Sequence, residues 1–209
     1  MPEFSDQFRD DLLDLMRWRR DVRRFRTDPV DEALLTRCLD AIRLAPSVGL
    51  SEPWRILRIN GAASRAAVLD NFNATNAKAL SGYDGDQAQL YSTLKLSGLR
   101  DAPVHLAVFC DDSTDKGHGL GAQTMPETRR YSVVGAVMQF WLMARAYGLG
   151  VGWVSILDPL QLSRDLDCPA GWTFIAYLCV GWPKTDDDTP ELEQAGWEKR
   201  SGTLTIEVR

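Results

Sequence analysis

The sequence has few residues of the types that bind metals, with only two histidines and four cysteines in 209 residues. No CxxC pair and no Cys/His pair stands at the spacing of a metal site. We therefore expect no metal site and no histidine-based catalytic triad. The cysteines are expected to be reduced thiols in the core: Cys38, Cys110, Cys168 and Cys179.

Targeting and polyanion-binding signals are missing as well. The first residues, MPEFSDQFRDD, are acidic and polar where a signal peptide is basic and then apolar, and no run approaches the ~20 apolar residues of a membrane span. The formal charge of −5 argues against nucleic-acid or membrane-surface binding, since both need a broad positive field. These features predict a cytoplasmic protein without membrane or nucleic-acid partners.

The sequence contains neither the P-loop of nucleotide-binding proteins nor the GxSxG elbow of hydrolases. The glycines of GLGVG, 148–152, resemble a dinucleotide fingerprint, which requires a strand before it and a helix after it. Here a helix precedes and a strand follows. Gly148 is better explained as the residue that ends the helix.

The length and the 44% hydrophobic content predict one domain, 1–209, with a substantial core. Helical spacing of apolar residues alternates with short apolar runs, which predicts helices and strands around one sheet, in an α+β or α/β fold. Predicted helices are 5–18 with Ser5 as N-cap, 31–45, 62–80, 131–148 and 159–167; predicted strands are 54–60, 105–111, 151–157 and 173–182.

The helix at 131–148 is apolar on nearly every face. Such a helix is either buried on all sides or shared with a second subunit, so a homodimer is expected. The segment 82–103 is polar and weakly periodic, and can be a lid over a site or a surface connection. The tail from Pro183 is acidic and rich in turn residues, which predicts a surface course.

The strongest chemical signal is WRRDVRRFR, 18–26, with five arginines around one acid. Guanidinium groups form bidentate bonds to phosphate and carbonyl oxygens, so Arg19, Arg20 and Arg23 suit a phosphorylated heteroaromatic ligand. The alternative is a solvated turn with weak surface ion pairs. Asp21 is either a counter-ion or an acid–base group, with a pKa lowered by its neighbours. Ser155 can act as a hydrogen-bonding group.

Several blocks together resemble the nitroreductase-type FMN flavoprotein superfamily and, within it, the 5,6-dimethylbenzimidazole synthases. They are RRDVRRF at 19–25, APSVGLSEPW at 45–54, LKLSGLRDAP at 94–103, YSVVGAVMQFWLMARAYGLGVGWVSIL at 131–157, AYLCVGWP at 176–183 and PELEQAGWE at 190–198. Two features of these blocks are the most specific. One is the aspartate of RRDVR, where ordinary nitroreductases usually have serine, and the other is the block GVGWVSI.

The resemblance implies a nitroreductase-like α+β fold: a central mixed or antiparallel sheet surrounded by helices, a long buried central helix and an intertwined dimer. It also implies an oxidoreductase that consumes reduced FMN and O2. Oxygen adds to the flavin, its ring and ribityl parts are separated, and the lower ligand of vitamin B12 is released. NAD(P)H would act only through a separate flavin reductase.

By the same resemblance, Asp21 is the acid–base residue, which replaces the counter-ion role, and Ser155 bonds near the flavin ring. Arg19, Arg20 and Arg23 hold FMN, segment 82–103 is a lid, and 184–209 is an extended tail. The other implied FMN contacts are Val22, Ser47, Gly49, Leu96, Gly152, Trp153 and, through the phosphate, Arg200.

Two other functions stay open at this point. An NAD(P)H-dependent nitroreductase or flavin reductase would have the same fold and return its FMN, whereas the synthase consumes it. A non-enzymatic module could use the arginines to grip RNA or a phosphorylated protein. The negative charge elsewhere and the apolar central helix favour a cavity over such an open groove.

Overall fold

The computed structural model of this protein describes residues 3–94 and 97–209, and the elements within these ranges alternate helices with single strands. Short 3-10 turns lie at Ala41–Leu44 and Val48–Leu50. The helices are α1 Asp6–Trp18, α2 Glu32–Asp40, α3 Ala62–Leu80, α4 Gly85–Thr93, α5 Gly98–Asp101, α6 Thr128–Ala146, α7 Pro159–Asp165 and α8 Glu191–Gln194; the strands are β1 Trp54–Arg58, β2 Val104–Asp111, β3 Gly150–Val154 and β4 Trp172–Gly181.

The four strands form one antiparallel sheet in the order β1-β2-β4-β3. Strand β2 lies inside the sheet and is buried from Val104 to Cys110, as expected for a strand covered on both faces. This arrangement confirms the predicted α+β fold with a central antiparallel sheet surrounded by helices.

Two layers of helices bury the two faces of the sheet. On one face, α2 and α6 pack through Leu35, Val133 and Phe140 against the sheet. On the other face, Val68 of α3 and Leu162 of α7 pack with aromatic side chains of β2 and β4. Burial of this apolar area is the main force that stabilises the fold.

The helix ends follow local signals that are readable in the sequence. The Ser5 hydroxyl accepts a hydrogen bond from Phe8 N–H at 3.2 Å, as an N-cap does. At the end of α6, Gly148 N–H bonds to Arg145 O and Leu149 N–H to Ala144 O, both at 2.9 Å. This is a Schellman motif with Gly148 at a φ of 78°, so the prediction that Gly148 ends the helix is confirmed.

Some predicted boundaries were wrong. Strand β3 ends at Val154, so 155–157 lies outside it. The polar segment 82–103 contains α4 and α5, which the sequence pattern missed because few apolar residues mark a buried face. Helix α6 begins at Thr128, ahead of the apolar run that revealed it.

Helix α6 has two different apolar faces in the single chain. Val133, Val137 and Phe140 are at most 1% exposed and belong to the core. Tyr131 and Val134 on the opposite face are 61% and 43% exposed. The helix is therefore buried along one face.

In the part of the chain that the structure describes, no helix is both long and apolar enough to cross a bilayer.

A buried polar pair crosses the core between β2 and β4. His105 Nδ1 lies 2.9 Å from the Tyr177 hydroxyl, and both side chains are at most 1% exposed. Burial, and then the charge of Arg65, lower the pKa of His105 from 6.5 to about 4. The unfolded chain therefore binds more protons than the folded one between these values, so stability falls as the pH drops from about 6.5 to 4.

We expect His105 to lower the free energy of unfolding by about 3 kcal/mol when the pH is lowered from 7 to 4. Urea unfolding at both pH values measures this against His105→Gln, whose amide does not titrate and which should lose correspondingly less stability. His118→Asn changes the other, exposed histidine and is the control. Equal losses in the wild type and His105→Gln would show that the buried imidazole does not set the acid sensitivity.

Candidate functional site

The arginine segment lies along the edge of the sheet, directly after α1. Helix α1 ends at Trp18, and the chain continues in extended conformation. Asp21 forms a parallel bridge with Val151 of β3, and Val22 N–H bonds to Val151 O at 3.0 Å. The free edge of β3 therefore fixes the position of Asp21 and the residues beside it.

Two glycines of β3 allow this close approach. A Cβ on Gly152 would fall deep inside the contact distance of Val22 O, and one on Gly150 would lie 2.8 Å from Val22 Cγ2. The glycines that resembled a dinucleotide motif therefore make room for the backbone of the arginine segment, as glycine in a strand often does.

The Asp21 carboxyl group is held by two neighbours. Its Oδ1 accepts a hydrogen bond from Trp153 N–H at 2.9 Å, and its Oδ2 lies 3.6 Å from Arg23 Nε. The Asp21 side chain is 39% exposed, whereas that of Arg23 is 12% exposed. One face of the carboxylate therefore remains open to a ligand, and the other is fixed by the protein.

The predicted lowering of the pKa of Asp21 was wrong. Burial of the carboxyl raises its pKa, and the opposing effects of Trp153 N–H and Arg23 are too small to reverse the shift. Glu191 of α8 adds a smaller rise. Because a carboxylate with a raised pKa is a stronger base, this environment favours an acid–base role over a counter-ion role.

Asp21 faces a cleft of about 280 Å³ between the arginine segment, the end of α6 and the tail. Arg20, Arg23 and Arg24 border it, and so do Asp186 and Glu191. Arg24 pairs with Glu191 at 3.0 Å. A cleft walled by both signs of charge is unlike the open basic surface that nucleic acid requires.

The predicted arginines occupy different positions around this cleft. The Arg19 guanidinium stacks over the Trp141 ring at 5.0 Å. Arg20 donates to Arg17 O, and its buried Nε has no hydrogen-bond partner among the described residues. Burial and the nearby charges of Arg200 and Arg19 lower the pKa of Arg20, so Arg200 lies close enough to repel it.

Arg200 is paired within the tail, where its Nε lies 2.8 Å from Glu193 Oε2. The charge that Arg200 adds near Arg20 is therefore partly compensated.

Of the other residues predicted near the flavin, Trp153 lies at the Asp21 carboxyl, whereas Ser155 does not line the cleft. The Trp153 ring packs against Trp141 with 6.4 Å between centroids, and its N–H binds Asp21. Ser155 follows the last residue of β3 and is exposed. Within the described residues, its hydroxyl makes no hydrogen bond, so it is available to a ligand.

Ser47 and Gly49 lie elsewhere in the single chain. The Ser47 hydroxyl accepts from Glu52 N–H at 3.1 Å, and Val48 N–H bonds to Ser132 Oγ near the start of α6. Gly49, with a φ of 58°, packs against the backbone of Leu120. The structure does not bring these two residues into the Asp21 cleft.

The predicted contact Leu96 lies outside the described residues. The neighbouring residues Tyr91 and Leu94 line a second cavity of about 150 Å³ together with Arg23 and Trp197. Tyr91 stacks with Tyr83 at 5.0 Å between centroids. Segment 82–103 therefore reaches Arg23, which also borders the main cleft.

Most residues that line the cleft were not predicted as site residues, among them Trp18, Trp141, Arg145 and Glu191. Arg145 pairs with Asp186 at 2.7 Å and is the only charged residue in 131–148. A single charged residue in the otherwise apolar predicted helix 131–148 could have indicated a site residue, because a charged group among apolar side chains needs a partner. Nothing local marked the other three.

No group of three His, Cys, Asp or Glu side chains converges to bind a metal ion within residues 3–94 and 97–209. All four cysteines are free thiols, and Cys38, Cys110 and Cys179 are buried.

The model of the nitroreductase family matches residues 16–182. A 5,6-dimethylbenzimidazole synthase of Rhodospirillum rubrum is 55% identical, over 95% of this chain and 94% of that protein. One of Rhodobacter capsulatus is 49% identical, over 96% and 97% respectively. The resemblance predicted from the sequence blocks is confirmed.

Solved structures support the same fold. A crystal structure of oxidised iodotyrosine deiodinase bound to FMN and 3-iodo-L-tyrosine superimposes with a TM-score of 0.73 at 22% identity, over 95% of this chain and 97% of that one. The predicted nitroreductase-like fold is confirmed, and so is the prediction of an enzyme. The family match and the relatives together show that the chain belongs to the nitroreductase family.

Proposed function

We propose that this chain is a 5,6-dimethylbenzimidazole synthase that fragments reduced FMN with O2. The observation that carries the proposal is the Asp21 carboxyl, a strengthened base at the edge of an arginine-lined cleft. Identity of 47–55% over nearly the whole length to proteins with that name supports it.

The residues around the cleft fit FMN. Arg20 has a buried Nε without a described partner, and Arg23 borders the same cleft, so both suit a phosphate or polarised carbonyl oxygen. Arg19 and Arg200 add positive charge nearby, with Val22, Gly152 and Trp153 as further contacts. Reduced FMN would supply the electrons for O2 and the carbon skeleton of the product.

In this proposal Asp21 exchanges protons with the bound ligand. Trp153 N–H fixes one carboxyl oxygen, so the other can turn toward the cleft. Breaking a carbon–carbon bond requires protons to leave and return, which a positioned carboxylate does well. The exposed hydroxyl of Ser155, two residues beyond Trp153, donates a hydrogen bond near the flavin ring.

A homodimer would bring Ser47 and Gly49 to the site. Ser132, which binds Val48, and Trp141, which lines the cleft, are nine residues apart on α6, or roughly 14 Å. A chain's own 47–50 loop therefore lies away from its cleft, and in this proposal the loop of a second copy contributes instead. The outer faces of α1 and α6 and the tail supply exposed apolar side chains for such an interface: Phe8, Leu13, Met16, Val134, Met138, Leu204, Ile206 and Val208.

Segment 82–103, including Leu96, is proposed to close over the bound flavin. Tyr91 and Leu94 lie on the same cavity as Arg23, so a small movement of this segment covers the arginine side of the cleft. A closed site excludes water while reactive species persist.

Mixing the protein with chemically reduced FMN in air tests the function. We expect a benzimidazole product and a matching loss of flavin, detected by chromatography with mass spectrometry. An anaerobic sample is the control and should give no product. NAD(P)H alone should not replace reduced FMN without a separate flavin reductase. Complete recovery of oxidised FMN would instead indicate a flavin reductase or nitroreductase.

A further inference from the structure

A small cavity, separate from the main cleft, also borders Asp21. We call it the rear cavity; it is lined by Asp21, Val22 and Arg23 of the arginine segment, by Gly98 and Leu99 of α5, by Gly152, Trp153 and Val154 of β3 and by Cys179 of β4. Its volume of about 10 Å³ is near the minimum that holds one water molecule. Its walls on α5 and β4 do not border the main cleft, so it is distinct from the cleft that would hold the ligand.

The surface of the rear cavity is almost entirely apolar, although Asp21, Arg23 and Trp153 also border it. Leu99 is 5% exposed and Val154 3% exposed, and their side chains carry no polar atoms. Cys179 is 1% exposed, and burial, followed by the charge of Asp21, raises the pKa of its thiol well above the usual range. The thiol therefore stays neutral. A buried water usually needs two to four polar partners, so we expect the rear cavity to stay dry.

The charged groups around Asp21 do not stabilise its negative charge on the side of the rear cavity. Arg23 on its own segment is 3.6 Å away, longer than a direct hydrogen bond. From α8, Glu191 adds negative charge, and β3 contributes the Trp153 N–H. The residues of α5 and β4 that face the carboxyl add no charged group: Gly98, Leu99 and Cys179.

We propose that Cys179 and Leu99 are positioning residues that keep the rear cavity dry and thereby make Asp21 a stronger base. This inference rests on the proposed function for its catalytic meaning. The physical argument is that a water behind the carboxylate would stabilise its charged form, which lowers its proton affinity. The two residues lie on different elements, α5 and β4, so each can be changed without the other.

The first test is a titration of the Asp21 carboxyl by 13C NMR, assigned by the signal that Asp21→Asn removes. In Cys179→Ser and in Leu99→Ala, which admit a polar group or a water, the midpoint should move down by about one pH unit. Cys38→Ala is the matched control, because Cys38 is a fully buried cysteine of the other core cluster. Unchanged midpoints in both variants, or an equal change in Cys38→Ala, would overturn the proposal.

The second test is the pH profile of benzimidazole formation. The acid limb should move to lower pH in both variants, and the plateau rate should fall several-fold because the base is weaker. A loss of rate without a shifted acid limb would indicate a merely structural role. If the wild type forms no benzimidazole, the proposed function fails, while the NMR titration still decides the role of the rear cavity.

Discussion

Asp21→Asn is expected to abolish benzimidazole formation, with a loss of at least about 100-fold, while FMN binding changes little. The amide oxygen can still accept the hydrogen bond from Trp153 N–H, so the geometry of the segment is kept. The amide cannot take up a proton near neutral pH. The arginines that suit the phosphate and ring are untouched. Product formation and equilibrium FMN titration measure the two effects separately.

The same variant should also be more stable than the wild type at pH 7. Because the fold raises the pKa of Asp21 above 3.8, the ionised carboxyl disfavours the folded state. This penalty is complete above the folded-state pKa, shrinks as the pH falls through it and is gone below 3.8. Thermal unfolding of both proteins at several pH values measures the difference.

Asp28→Asn is the matched control for this experiment. Asp28 lies two residues after the arginine segment, pairs with Arg26 at 2.7 Å and is 51% exposed. Its replacement should alter neither product formation nor FMN binding. If Asp21→Asn lost FMN binding as strongly as activity, Asp21 would be a counter-ion for the arginines, and the proposed acid–base role would be wrong.

Gly152→Ala is expected to have the second large effect, a loss of about 2–5 kcal/mol in the free energy of unfolding. The new methyl group would overlap Val22 O, which belongs to the backbone and cannot turn aside. The arginine segment would have to leave the edge of β3. Both the Asp21–Val151 bridge and the Asp21–Trp153 hydrogen bond would then break.

Urea unfolding and FMN titration measure this effect, and FMN affinity should fall at least about tenfold because the arginines move with the segment. Gly61→Ala is the control, since its Cβ would meet only Ser64 Oγ at 3.6 Å. A Gly152→Ala protein as stable as the wild type would show that the segment can be held without this close approach.

Local sequence signals predicted much of the framework. Ser5 and Gly148 marked helix ends because capping depends on residues within one turn of each other. The apolar runs found all four strands because burial in a sheet leaves a continuous apolar pattern. Helix α4 escaped detection because its nine residues are mostly polar and partly exposed, so no periodic face was visible.

The candidate site was only partly readable from the sequence. The blocks that identified the family also contained Asp21, Gly152 and Trp153, which the structure brings together. The separation of Ser47 and Gly49 from Asp21 could not be seen, because it depends on the length and position of α6 between them.

By itself, the sequence determined most of the helices and strands, the family and the arginine segment, because each of these depends on residue types at short spacing. The tertiary structure alone decided that Asp21 has a raised pKa, the reverse of what its arginine neighbours suggested. It also decided that Gly152 must remain a glycine, because a Cβ at this position would overlap Val22 O. Dehydration of a carboxyl and overlap of two backbones both depend on groups from distant parts of the chain, and no local pattern records them.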